Sequence, residues 1–357
     1  MANSPRARCR TMRAAIFNGP RSITLGERPD PTIQSPTDAI VRVVLACVCG
    51  SDLWFYRGET PKPAGPIGHE FIGVIEDVGT EVNGLTKGDF VVAPFVFGDG
   101  TCPHCLAGWP TNCTSGGSWS NGDIDGGQGE AVRVPFADAT LVRVPGSGHS
   151  DETLRSLATL CDVMCTGQHA AMSANVQPGN VVAVVGDGAV GLSAILASSR
   201  LGASRIFALS RNPQRQAIAR QFGATDILTE RGDEAIAKVT ELTYGIGVDA
   251  ALECVGTGES MDTAFGVARP GSLVGMVGAP HGVTVPMRTV MVRNVGLRGG
   301  VSPARRYIPE LMADVLEGRI NPGIVFDYET NLDGLAGAYE AMDERRATKS
   351  LLKVSSL

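Results

Sequence analysis

The stretch Val181-Val182-Ala183-Val184-Val185-Gly186-Asp187-Gly188-Ala189-Val190-Gly191 decides the fold, because an apolar β-branched run leads straight into a glycine triplet and then into a helical pattern. In a strand–turn–helix setting the first glycine makes the tight turn. The second lets backbone approach a pyrophosphate, and the third lets the helix pack on the strand. The free N–H groups and positive dipole end of the helix then face the phosphates. Gly186, Gly188, Ala189, Val190 and Gly191 are therefore the predicted phosphate-binding residues.

Working outward, apolar strands alternate with amphipathic helices from about Leu154 to Gly300. The strands are read at Val181–Val185, Arg205–Leu209, Asp226–Leu228, Val248–Glu253 and Ser272–Val277, with helices from Val190, from Pro213, from Asp233 and near Met261. That alternation implies an α/β fold of right-handed βαβ units on a doubly wound parallel sheet. From Met12 to about Pro145 the texture differs. Short β-branched runs (Ala39–Cys47, Phe71–Val78, Phe90–Phe95, Glu130–Val134) are separated by Gly, Pro and Asp, which reads as mainly β. The tail adds helical patterns at Ile308–Leu316 and Leu332–Met342 and a strand at Ser350–Val354, and is expected to fold back on the β region.

Composition narrows the function. The net charge of −6 removes the broad basic surface that nonspecific nucleic-acid binding needs. No apolar stretch reaches the ~18 residues of a membrane span, so a soluble, cytoplasmic protein is expected. The nine cysteines in 357 residues read as thiols and metal ligands rather than a disulfide framework. The 45 glycines, without collagen-like period, mark tight turns and close backbone approaches.

The second strand of the α/β region bears on the dinucleotide. About 20 positions beyond the glycine motif, an acid would bind the ribose 2′-hydroxyl, whereas a small residue followed by Arg accommodates a 2′-phosphate. Here Ser210 is followed by Arg211, with Arg215 one turn later, so NADP is expected in preference to NAD.

Two constellations in the β region suit zinc, whose preferred ligands are thiolate and neutral imidazole. One is Cys49-Gly50-Ser51-Asp52 with Gly68-His69-Glu70-Phe71-Ile72-Gly73. The other is Cys102-Pro103-His104-Cys105 followed by Cys113, in which a tight turn can present two thiolates to one metal.

With Gly79 and Val82 continuing the second motif and the glycine triplet following it, the chain resembles the zinc-dependent medium-chain alcohol dehydrogenases from Met12 to Val354. The resemblance implies a GroES-like catalytic domain and a Rossmann domain, which the change of texture bounds at 12–163 with 302–357 and at 164–301; the Arg-rich residues 1–11 are expected to be a disordered tail. It implies a catalytic zinc held by Cys49, His69 and a third ligand, with Glu70 close enough to exchange. Register with Thr166-Gly167 assigns the third ligand to Asp162, as in the bacterial NADP-dependent secondary-alcohol dehydrogenases, although Cys161 and Cys165 flank it and are softer donors. The family's structural lobe has four cysteines. Asp99 stands where the first belongs, giving Asp99, Cys102, Cys105 and Cys113 as a structural zinc site.

Zinc with an open position lowers the pKa of a bound alcohol, and Ser51, at the family's relay position, would pass the proton on; its alternative role is a cap for a helix beginning near Asp52. Trp54 replaces the His that many relatives use to carry that proton to solvent. With Phe55, Phe95 and Trp119 it suggests an apolar substrate pocket. Gly50 stands where some relatives place a pyrophosphate-binding Arg, which leaves Lys353 as the candidate by resemblance. The expected activity is a zinc-dependent alcohol dehydrogenase or carbonyl reductase acting on small-molecule alcohols, aldehydes or ketones. Alternatives are oxidation of a polyol, an amino alcohol or a formaldehyde adduct, or a non-enzymatic nucleotide-binding relative. The resemblance implies a homodimer or homotetramer paired through the strand near Val292–Leu297.

Overall fold

A computed structural model describes residues 10–121 and 124–357. The chain forms two compact units, 1–149 with 326–357 and 150–325. Relative to the sequence reading, 150–163 and 302–325 fall in the second unit rather than the first. The helix Ala304–Leu316 explains the latter shift, because it packs on Val163–Ser173 and Asp151–Thr159 of that unit. Only the end of the tail joins the β region. Of the expected disordered segment 1–11, residues 1–9 lie outside the described residues, and Thr11 already opens a strand, Thr11–Gly19, paired with Ser22–Pro29.

In the first unit, the central strand Ala39–Val48 is β-branched and buried along nearly its whole length, and it gathers neighbours on both sides. Phe71–Val78, Ala131–Val134 and the C-terminal strand Ser350–Lys353 all pair with it antiparallel. The last pairing sets Ser350 opposite Val48 and Lys353 opposite Leu45, so the final residues abut the segment leading into Cys49. The core of this unit includes Phe17, Val41, Phe71, Val91, Trp119 and Tyr339.

The second unit holds a six-stranded, wholly parallel sheet. Its order is Asp226–Leu228, Arg205–Leu209, Val181–Val185, Val248–Glu253, Ala268–Met276, Gly296–Gly299. Numbered along the chain this is 3-2-1-4-5-6, the doubly wound dinucleotide-binding order, and the strand order reverses beside Val181–Val185. Such strands are covered on both faces, which is why they read as unbroken apolar runs. The segment Val292–Leu297 is divided: Val292 ends up in a helix, Met287–Arg293, and only Gly296–Gly299 is strand. No helix among the described residues is long and apolar enough to cross a membrane.

Candidate metal and dinucleotide sites

Cys49 closes the central strand, and the turn after it opens the short helix Asp52–Arg57. His69 and Glu70 precede the partner strand Phe71–Val78. Pairing of the two strands brings Sγ of Cys49, an imidazole nitrogen of His69 and a carboxylate oxygen of Glu70 within 4.8 Å of one another. Gly68 makes the entry possible. Its φ is +91°, and a Cβ there would lie 2.4 Å from Cγ of Gln128, so both the turn and the packing require glycine.

The surroundings orient each donor. Nδ1 of His69 lies 3.3 Å from Oδ1 of Asp52, leaving Nε2 directed away, 3.4 Å from Oγ of Ser51. This is the arrangement in which a carboxylate fixes the tautomer of a metal-binding histidine. Oδ2 of Asp52 accepts the backbone N–H of Cys49 at 3.0 Å and Nε2–H of Gln128 at 3.4 Å, and Gln128 in turn accepts the Tyr339 hydroxyl at 2.9 Å. Ser51 precedes the helix but makes no side-chain capping bond, so the capping role open to it in the sequence is not used.

Glu70 has a partner the sequence did not suggest. Nζ of Lys349 donates to Oε1 at 2.9 Å and to Oε2 at 2.7 Å, with both side chains essentially inaccessible. Burial alone lowers a lysine pKa, but Glu70, Cys49 and Cys47 more than reverse that, and Lys349 is held above the ordinary lysine value. Lys349 therefore stays charged and tethers the carboxylate beside the other two donors.

The second cluster, Asp99, Cys102, Cys105 and Cys113, has one donor atom from each residue within 4.8 Å of the others. Sγ of Cys102 and Sγ of Cys113 are 3.8 Å apart. Two thiolates on one tetrahedral zinc with bonds of about 2.3 Å would be about 3.8 Å apart, so the spacing fits. Asp99 also organises the turn, its Oδ1 accepting the N–H groups of Thr101 at 2.8 Å and Cys102 at 2.9 Å. Those bonds hold its carboxyl well below the usual carboxylate range. Backbone N–H groups of Cys105 and Thr114 pull the Cys102 thiol down to about 6, while burial and the Cys102 and Cys113 thiols push Cys105 up to about 12. His104 is not among the converging donors. None of the eight described cysteines is paired in a disulfide.

The other sequence-singled residues fall out unevenly. Trp54 and Phe95 are half-buried. Trp119 is 2% exposed, donates its indole N–H to the Pro94 carbonyl at 2.8 Å, and stacks edge-on with Phe71, so it is a core residue of the β unit rather than an exposed pocket wall. The exposed Nζ of Lys353 lies 3.3 Å from Glu329 on the neighbouring strand, so its ammonium is already engaged there; the other lysine of the same run, Lys349, is the buried one. In the second unit, Asp162 precedes the helix Val163–Ser173 and accepts the Thr166 hydroxyl at 2.7 Å. Burial raises the Cys165 thiol well above its ordinary value, with help from Asp162, so it stays protonated.

At the glycine triplet, Gly186 has φ +119°, and a Cβ on Gly191 would lie 2.0 Å from the Gly186 carbonyl, the close helix–strand approach expected of the third glycine. A Cβ on Gly188 would meet nothing within 4 Å. That open ground, at the N-terminus of the helix Ala189–Arg200 and beside the strand-order reversal, fits a pyrophosphate. On the neighbouring strand, Ser210 donates its hydroxyl to Oδ2 of Asp187 at 2.8 Å, and Nη1 of Arg215 lies 3.1 Å from Oδ1.

A zinc-type donor cluster in a β unit and a dinucleotide cradle in a parallel α/β unit define a zinc-dependent nicotinamide-linked dehydrogenase. The chain belongs to the zinc-type alcohol dehydrogenase family. Residues 35–146 match the alcohol dehydrogenase GroES-like domain and 189–317 the zinc-binding dehydrogenase domain. A "probable zinc-binding alcohol dehydrogenase" of Mycobacterium tuberculosis is 35% identical, over 92% of this chain and 84% of its own. The glutathione-independent formaldehyde dehydrogenase of Pseudomonas aeruginosa is 29% identical, over 93% of this chain and 94% of its own. Among solved structures, an alcohol dehydrogenase from Thermus sp. ATN1 superposes with a TM-score of 0.89 at 34% identity, covering 96% of this chain and 100% of that one.

Proposed function

We propose that the chain exchanges hydride between a hydrophobic primary or secondary alcohol, or the matching carbonyl, and a nicotinamide dinucleotide, using the Cys49–His69–Glu70 cluster as its catalytic zinc site. The observation that carries this reading is the convergence of those donors beside the Ser51 hydroxyl, which lies 3.4 Å from Nε2 of His69 and is not used as a helix cap. When bound, zinc supplies Lewis acidity that favours the ionised alcohol, and the nicotinamide supplies the hydride acceptor. Asp52 holds Nδ1 of His69 and so turns its Nε2 toward Ser51 and the proposed metal site. Lys349 holds the Glu70 carboxylate in place through both of its oxygens. Ser51 takes and passes the alcohol proton through its hydroxyl, and Trp54, where a histidine could have carried it onward, gives an apolar wall instead. Asp162 is assigned as third ligand on its register with Thr166-Gly167.

Asp99, Cys102, Cys105 and Cys113 hold a second, structural zinc in this reading. Ser210, Arg211 and Arg215 favour NADP, but Asp187 engages two of the three and the dinucleotide preference turns on it. A homo-oligomer paired through the edge strand Gly296–Gly299 is supported by the exposed Met287, Met291 and Val292 on the helix before it. Oxidation of formaldehyde is the second reading, favoured by the similarity to the Pseudomonas enzyme. The test is a panel of primary, secondary and benzylic alcohols, formaldehyde and the matching carbonyls, run with NAD and NADP on zinc-replete protein. Turnover lost on chelation and restored by zinc is expected. Zinc-independent turnover, or none, overturns the proposal.

A further inference from the structure

The strand Arg205–Leu209 ends without a carboxylate, yet a carboxylate stands at that end all the same. Asp187, between the first two glycines of the triplet, lies across from the strand end and accepts from Ser210 at 2.8 Å and Arg215 at 3.1 Å. The arrangement is fixed rather than incidental. The side chains of Asp187 and Arg215 are only 21% and 15% exposed, and Ser210 is buried. Gln216 ties down the Ser210 carbonyl at 2.9 Å, and Asn212 caps the helix that carries Arg215.

Two of the three residues that would welcome a 2′-phosphate are thus already spent on an internal anion, leaving Arg211 exposed on the rim. A 2′-phosphate would bring a charge of about −1.5 to −2 against the Asp187 carboxylate and would have to win Arg215 from it. A ribose hydroxyl, by contrast, can donate to that carboxylate, which is how an acid at this edge of the fold recognises NAD.

We propose that Asp187 is the specificity-determining residue of the dinucleotide site. It supplies from the glycine loop the carboxylate missing from the strand end and makes the chain select NAD. This rests on the reading of the second unit as a dinucleotide site, and it revises the NADP preference that the sequence alone suggests.

The test uses probes that need no turnover: 5′-AMP and 2′,5′-ADP titrated by calorimetry into the full-length zinc-loaded protein, together with NAD and NADP. The wild type should bind 5′-AMP at least about tenfold tighter than 2′,5′-ADP, a difference of about 1.4 kcal/mol. Asp187→Asn, which keeps shape but releases the Arg215 charge, should move that ratio toward 2′,5′-ADP by about tenfold or more, and adding Arg215→Leu should cancel the gain. Asp187→Ser serves if Asp187→Asn does not fold. A wild type that prefers 2′,5′-ADP, a ratio unmoved by either variant, or no binding of any probe overturns the proposal. A shifted binding ratio in a protein that oxidises no alcohol would sink the proposed activity and leave this inference standing.

Discussion

The two metal-type clusters of the β unit are built by opposite means. Asp99, Cys102, Cys105 and Cys113 come from a single short surface segment, in which a CxxC turn and backbone N–H groups do the arranging. Cys49, His69 and Glu70 flank the ends of two paired strands, and their surroundings add Asp52, Gln128 and, from the far end of the chain, Lys349. The first is a local motif whose turn supplies the backbone N–H groups that lower the Cys102 thiol. The second is a product of sheet pairing, with its polar groups buried and each held by another. A local cluster can be damaged without disturbing the sheet, whereas the buried one ties chemistry to stability.

That contrast can be broken at several points. His69→Ala removes a donor from the buried cluster and should cost roughly 10³-fold or more in kcat, the scale of losing preorganised charge stabilisation at a reacting oxygen; turnover near wild type on zinc-loaded protein would refute its role. Lys349→Met removes the ammonium that donates to both oxygens of the buried Glu70 carboxylate, which should destabilise the fold by about 3–5 kcal/mol in denaturant titrations. The double variant with Glu70→Gln should recover much of that loss. Ser51→Ala should slow turnover by about 10²-fold while leaving zinc content unchanged, with Ser51→Thr restoring most of the rate. The smallest effect belongs to the surface lobe: Asp99→Asn should weaken its zinc by about tenfold in chelator competition, since oxygen is already the poorest donor there, without altering kcat.

The same division governs how much was legible in the sequence. The parallel sheet could be read because its strands are apolar runs punctuated by glycine, and Val181–Val185, Arg205–Leu209, Asp226–Leu228 and Val248–Glu253 coincide with the observed strands. Cys102, Cys105 and Cys113 were visible as a local motif, whereas Asp99 and the grouping of Cys49 with His69 and Glu70 were legible only through the family resemblance. Lys349 was not, because a buried lysine looks like a solvated one until the last strand is seen to pair beside Cys49, and Lys353 drew the attention instead. Trp119 misled for a related reason: an aromatic in a glycine-rich loop gives no sign that its ring will fill the core. Asp187 was in plain view inside the glycine triplet, but only the fold shows that it reaches Ser210 and Arg215.

We propose two distinct zinc centres, one for chemistry that includes Cys49, His69 and Glu70 and one for the fold at Asp99, Cys102, Cys105 and Cys113. Zinc per chain, measured on wild type, Cys49→Ala and Cys105→Ser alongside turnover, tests it most directly. Two zinc ions are expected in the wild type, one in each variant, with activity lost in Cys49→Ala and largely kept in Cys105→Ser. A single zinc in the wild type, or activity that survives Cys49→Ala, would contradict it.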